Sequence, residues 1–138
     1  MQKNNNPIIV REDDYKILLS YLRDERYTKK HDAQNAKELE AELKKATLVS
    51  KENFPNDVVR LNSKVKIKEG SQNRIMELVL VTPDKADISK RKISVMAPVG
   101  TALVGFRKGQ KIKWRVPAGE KTFTIIEVIN QHDITRNE

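Results

Sequence analysis

The side chains able to do chemistry on this chain are few, and their spacing is informative. There is no cysteine, which excludes disulfides and thiolate metal sites. Two histidines, His31 and His132, lie far apart near expected loop and tail positions and do not make a metal site. A hard, oxygen-seeking divalent cation wants paired carboxylates. The run Lys29-Lys30-His31-Asp32 offers one acid among cations, with Asp24 and Glu25 set back on the preceding helix. No catalytic residue, metal or cofactor is therefore expected. Two other patterns remain. Lys64, Lys66 and Lys68, and again Lys111, Lys113 and Arg115, alternate so that each trio shares one face of a strand, where it can follow phosphates. Met96, Ala97, Pro98 and Val99 form an apolar knuckle with Lys90 and Arg91 nearby, and apolar anchors ringed by charge are what protein interfaces use.

The knuckle belongs to the stretch around which the chain is organised, Ile93 to Gln110, which reads ISVMAPVGTALVGFRKGQ. It starts as a strand at Ile93 and Val95, and Pro98 must end the pairing because proline has no donor and a fixed φ. The same residue suits the first turn of a helix. Ala102, Leu103 and Phe106 fall at helical spacing and Gly105 suits a left-handed cap. The spacing predicts strand, corner, one or two helical turns, then a glycine-marked turn into Lys111. The plain alternative is packing, a short helix plugging one side of a small sheet with Met96 turned inward.

Upstream, Glu12, Asp13 and Asp14 favour a helix start, and Ile17, Leu18, Tyr21 and Leu22 make its apolar stripe. That helix is expected to end between Arg23 and Tyr27. A second is expected from Ala33 to Thr47, with Asp32 as its cap. Its narrow seam, Ala36, Leu39, Leu43 and Ala46, suits one partner helix and predicts an antiparallel hairpin. At about 15 residues per helix and ~1.5 Å each, the arm reaches roughly 22 Å. Two surface helices lying flat on the sheet are the alternative.

After Phe54-Pro55-Asn56-Asp57 the helical period vanishes, which places a boundary between residues 1–53 and 54–138. Ser63 to Lys68 alternates as a strand, Glu69 to Asn73 is a turn, Arg74 to Val81 returns, and Pro83 to Asp87 forms a loop. Lys111 to Val116 and Thr122 to Ile129 complete the sheet around a Pro117-Ala118-Gly119-Glu120 turn. The apolar face switches between Ile125 and Ile126, the mark of a bulge. Residues 1–6 and those from Gln131 onward carry no pattern.

The formal charge of +8 is uneven. Residues 1–54 hold 11 Lys+Arg against 10 Asp+Glu, and residues 55–138 hold 16 against 9. The surplus of +7 in the second part favours an acidic partner such as nucleic acid or a nucleic-acid machine. The start, MQKNNNPIIV, has no apolar core of a signal segment, and no run is long enough to span a bilayer, so a cytoplasmic protein is expected.

The run from Ile93 to Gly105, followed by Gly109-Gln-Lys-Ile112 and a Trp-containing strand, resembles the C-terminal domain of the Gre transcript-cleavage factors. Phe54-Pro-Asn-Asp-Val-Val-Arg-Leu-Asn-Ser-Lys-Val65 narrows the match to a short relative within that family. The resemblance covers Phe54 to Ile129 well and the first third in outline. It implies an α+β protein, a short antiparallel helical hairpin (coiled coil) followed by an FKBP-like antiparallel sheet domain with one short helix. It also implies RNA polymerase as partner. In Gre factors the C-terminal domain grips the rim of the polymerase secondary channel, and paired acids at the hairpin tip help hold a metal ion during transcript hydrolysis. Here Lys29, Lys30, His31 and Asp32 stand at the tip, so cleavage does not carry over. The expectation is a monomeric regulator that docks through Met96, Ala97, Pro98 and Val99, flanked by Lys90 and Arg91. It would compete with cleavage factors. Two readings from other classes stand beside it. One is direct nucleic-acid binding through the lysine strands, as main function or accessory contact, although aromatics for base stacking are few. The other is prolyl isomerisation, which needs an aromatic-lined pocket where the chain offers only Trp114, Phe106 and Phe123 beyond Phe54.

Overall fold

The computed structural model describes residues 7–28, 33–70, 74–116 and 119–130, with the side chains of 27, 28 and 114–116 left aside. The expected hairpin tip, Lys29, Lys30, His31 and Asp32, lies outside the described residues.

The fold is α+β. Strand β1 (Ile9–Arg11) leads into α1 (Glu12–Leu22), a short α2 (Glu25–Thr28), α3 (Ala33–Lys45) and β2 (Thr47–Val49). β1 and β2 pair in parallel, Ile9 opposite Thr47 and Arg11 opposite Val49. The second helix thus ends two residues before Thr47. β-branched Thr47 and Val49 leave the helix to pair with β1, a partner too distant along the chain for periodicity to show. Ser50 stands before the single turn Lys51–Asn53 without capping it through its side chain.

The main sheet contains β3 (Lys64–Glu69), β4 (Ile75–Val81), β5 (Lys92–Ser94), β6 (Lys111–Val116) and β7 (Gly119–Ile129) in the order β5-β4-β3-β7-β6. It is mixed, which corrects the expectation of an antiparallel sheet. β5 joins β4 in parallel, because the connection through two single turns, Pro83–Lys85 and Ile88–Lys90, carries the chain back before it pairs. The expected bulge is present: Lys66 faces Glu127 and Ile67 faces Ile125, so Ile126 is the extra residue. α4 (Pro98–Leu103) crosses beyond β5.

One apolar core joins the two parts of the chain. Ile8, Val10, Leu18, Ala36, Leu39 and Leu43 are buried with Val59, Val65, Ile67, Leu80, Leu103, Phe123 and Ile125. The seam of α3 is divided between α1 and α4 rather than given to one helix. Ile17, placed in the apolar stripe of α1 by the sequence, is 40% exposed, while Leu18 is buried.

Polar groups also tie α1 to the segments that flank the sheet. Asp14 and Arg60 are both buried and form a two-pronged pair, Nε and Nη2 donating to the two carboxylate oxygens at 2.8 Å each. Burial pushes the Asp14 carboxyl up, against the Arg60 hydrogen bonds that favour its charged form. Its neighbour Asp13 is held at about 2, chiefly by the Arg11 guanidinium, which donates to it at 2.7 and 2.6 Å. Tyr21 on α1 donates to Asp84 at 2.5 Å. Asn130 closes the far side, its amide donating to the carbonyls of Asn56 and Val58 at 3.0 Å each.

Candidate functional site

The corner at Ser94–Leu103 is built as the sequence predicts, with one change of direction. Ala97 is extended at φ −75°, Pro98 takes the first helical position, and Thr101 N–H donates to Ala97 O at 2.8 Å. Thr101 Oγ1 donates to Val95 O at 2.9 Å, and Met96 N–H to Ser94 Oγ at 3.0 Å. These bonds fix the corner from both sides. Gly100 lies so close to the strand that a Cβ there would stand 2.1 Å from Ser94 O. Gly105 takes the left-handed conformation expected of it, at φ 87°.

Met96 corrects the picture of an exposed knuckle. It is 3% exposed and packs in the core, as an unbranched thioether fitting an irregular gap does. The surface of the corner is Pro98, exposed, with Ala97 and Val99 partly so. Lys90 and Arg91 are both exposed on the turn before β5, where Arg91 ends the turn at φ 58°. A small apolar surface on a rigid backbone, with cations on the neighbouring turn, can dock a protein. It carries no group for bond-breaking chemistry.

The lysine row of β3 is interleaved with acids. Lys64 pairs with Glu77 at 3.7 Å, Lys66 with Glu127 at 3.4 Å, and Glu69 with Lys121 at 3.2 Å. Lys68 lies between Ile75 and Thr124 in register. The sequence shows the lysines; only strand pairing shows the glutamates opposite them. Lys111 and Lys113 are exposed on the edge strand β6. Phe54, Phe106 and Phe123 are buried in the interior. A pocket of about 380 Å³ is lined by Arg74, Ile75, Met76, Glu77, Leu78, Ile88, Arg91 and Ile93, none of them aromatic and, of these, only Arg91 a candidate site residue from the sequence. Ile88 is 82% exposed there, an outlier that the sequence hides because an isoleucine in a loop looks like a core residue. Among the described residues, no group of three acids or histidines could hold a metal ion. Nor is any described helix long and apolar enough to cross a membrane.

Residues 54–130, which carry the corner and the whole main sheet, match the family described as "Transcription elongation factor, GreA/GreB, C-term". The chain belongs to the GreA/GreB family. Among curated members, the Escherichia coli (strain K12) "Regulator of nucleoside diphosphate kinase" is 45% identical over 84 residues, covering 61% of this chain. It is the short relative toward which Phe54 to Val65 narrows the resemblance. "Transcription elongation factor GreA" of Chlorobium phaeobacteroides (strain BS1) is 37% identical over 93 residues, covering 66% of this chain. The chain spans 62% of the length of the first and 58% of the second. A solved structure, "Prokaryotic transcription elongation factor GreA/GreB from Nitrosomonas europaea", superposes with a TM-score of 0.74 at 35% identity. It covers 89% of this chain and 99% of its own, so the GreA/GreB likeness in fold extends into the helical part.

Proposed function

We propose that this GreA/GreB-family chain is a transcription regulator of the bacterial cytoplasm that binds RNA polymerase at the rim of the secondary channel. There it competes with cleavage factors and does not itself stimulate transcript cleavage. The observation that carries the reading is the family match over 54–130, which contains the fixed corner with Pro98 at its surface. Residues 1–53 act as a short helical hairpin arm and residues 54–138 as an FKBP-like docking domain. The protein works as a monomer. The docking residues are Pro98, Ala97 and Val99, with Lys90 and Arg91 as flanking charges and Met96 supporting the corner from inside. Lys29, Lys30, His31 and Asp32 at the arm's tip supply one carboxylate, and metal-assisted hydrolysis in the polymerase active centre calls for two.

The test is a competition between this chain and a cleavage factor for core polymerase, with dinucleotide release from a backtracked complex read in parallel. Displacement of the cleavage factor without release above polymerase alone is expected. Robust release, or no displacement, sinks the reading. Within it, Pro98→Asp should weaken polymerase binding by at least about tenfold, ~1.4 kcal/mol, by putting a charge into an apolar contact. Unchanged affinity in a variant with the native circular dichroism spectrum removes the corner from the interface.

A second reading, direct nucleic-acid binding, draws on the surplus of +7 in residues 55–138. The glutamates facing Lys64 and Lys66 weigh against it as the main grip. Changing Lys64, Lys66 and Lys68 together to Ser should cost less than about tenfold in affinity for the transcription complex, with a shallow salt slope. A loss of several hundredfold, with a flattened slope, would favour nucleic acid.

A further inference from the structure

β5 pairs only with Val79–Val81 of β4, which leaves the outer edge of Ile75–Leu78 without a partner strand among the described residues. The direction of its backbone groups follows from the register. Leu80 N–H donates inward to Ser63 O at 3.0 Å, and Arg74 O accepts from Glu69 N–H at 3.4 Å, so alternate residues from Arg74 to Leu80 bond toward β3. Val79 N–H donates outward, to Arg91 O at 2.9 Å. Ile75 and Glu77 share the parity of Val79, and their N–H and C=O groups therefore face outward too. Beside this edge lies the 380 Å³ pocket, with Ile75 59% and Ile88 82% exposed. A strand edge guarded against pairing carries charges and hides its apolar groups. Charges are present here in Arg74, Glu77 and Arg91, but two isoleucines stand open beside outward-facing backbone groups that no described strand pairs.

We propose that the β4 edge at Ile75–Leu78 receives an extended segment of a partner protein that alternates apolar with acidic side chains. Main-chain hydrogen bonds to Ile75 and Glu77 supply the pairing, and the pocket takes alternate apolar side chains, the usual division of labour when a peptide adds a strand to a sheet. The charge of the partner follows from the lining. Arg74 and Arg91 face the single acid Glu77, which is itself within 3.7 Å of Lys64, and Lys90 and Lys92 are exposed next to Arg91. A second copy of a chain with net charge +8 would bring the same cations to the edge. This edge shares Arg91 and the neighbouring Lys90 with the proposed polymerase contact but none of the corner residues Met96 to Val99, so Glu77→Pro, which changes neither cation, tests the strand pairing apart from the polymerase reading.

The test uses the full chain, labelled for amide NMR, and a capped heptapeptide alternating valine and glutamate. Saturable shifts centred on the Ile75 and Glu77 amides are expected, and a valine–lysine heptapeptide should bind at least about tenfold more weakly. In Glu77→Pro the lost N–H is an outward one, which an edge strand tolerates, so the fold should persist while binding falls at least about tenfold. Arg74→Glu combined with Arg91→Glu should reverse the preference toward the lysine peptide. Absence of shifts at Ile75 and Glu77, or undiminished binding to a folded Glu77→Pro chain, overturns the proposal. So does a concentration-dependent dimer that Glu77→Pro dissolves, which would make the occupant a second copy.

Discussion

Asp14→Ala is expected to destabilise the protein by about 3–5 kcal/mol, read as a fall in the urea midpoint at neutral pH with an unchanged slope. The reason is the partner left behind. Arg60 is 6% exposed and gives two hydrogen bonds to Asp14, so truncation strands a guanidinium in the interior. The pair itself is a weaker source of stability than this number suggests, because burial has already cost both ions their water. Replacing both partners by apolar side chains, Asp14→Leu with Arg60→Met, should therefore recover most of the loss. If the single variant costs under about 1 kcal/mol, or the double variant is no better, the pair does not hold α1 to the segment before β3 in the way its geometry implies.

Gly100→Ala should be nearly as severe, about 3 kcal/mol or more, the upper range for forcing atoms into a packed site. The added Cβ would meet Ser94 O at 2.1 Å and the Ser94 carbonyl carbon and Val95 Cα at 2.9 Å. All three belong to backbone, so no side chain can swing aside, and α4 itself must lift. Gly109→Ala is the control. Its φ of 93° disfavours a Cβ, but nothing lies within 4 Å, and a cost of about 1–2 kcal/mol is expected. Urea unfolding of the two variants separates steric displacement from backbone strain. Equal losses would mean that the close approach of α4 to the strand relaxes freely.

The sequence made the corner legible because proline and glycine act locally. Pro98 could only end a strand or begin a helix, and Gly105 could take a positive φ wherever the neighbours fell. The bulge was readable for a similar reason: an apolar face that jumps from Ile125 to Ile126 needs one residue out of step. What escaped depends on partners distant along the chain. The pairing of β1 with β2 involves three residues on each strand, too few for a period. The inward turn of Met96 is set by space left in the core, and an apolar residue beside proline reads the same whether it faces in or out. Asp14 was read as a helix-dipole acid, yet Arg60 sits between Val59 and Leu61, both buried, and a charge inside an apolar run asks for a buried counter-ion. The lysines of β3 looked like a phosphate track until Glu77 and Glu127 appeared across from them. Of the candidate site, then, the backbone shape could be read and the balance of exposure and charge could not.

The order β5-β4-β3-β7-β6 bears on how the molecule is made. β7, the last described strand to leave a ribosome, lies inside the sheet against β3, whose outer edge waits open until then. Nascent chain ending before β7 would expose Val65 and Ile67 along an unsatisfied strand, the kind of surface that recruits chaperones or neighbouring chains. The core that buries Leu39 and Leu43 is also incomplete in the interval, since it includes Phe123 and Ile125 of β7. At synthesis rates of about 5–20 residues per second, the exposed interval lasts seconds. Closure of the sheet late in translation follows from where one strand was inserted.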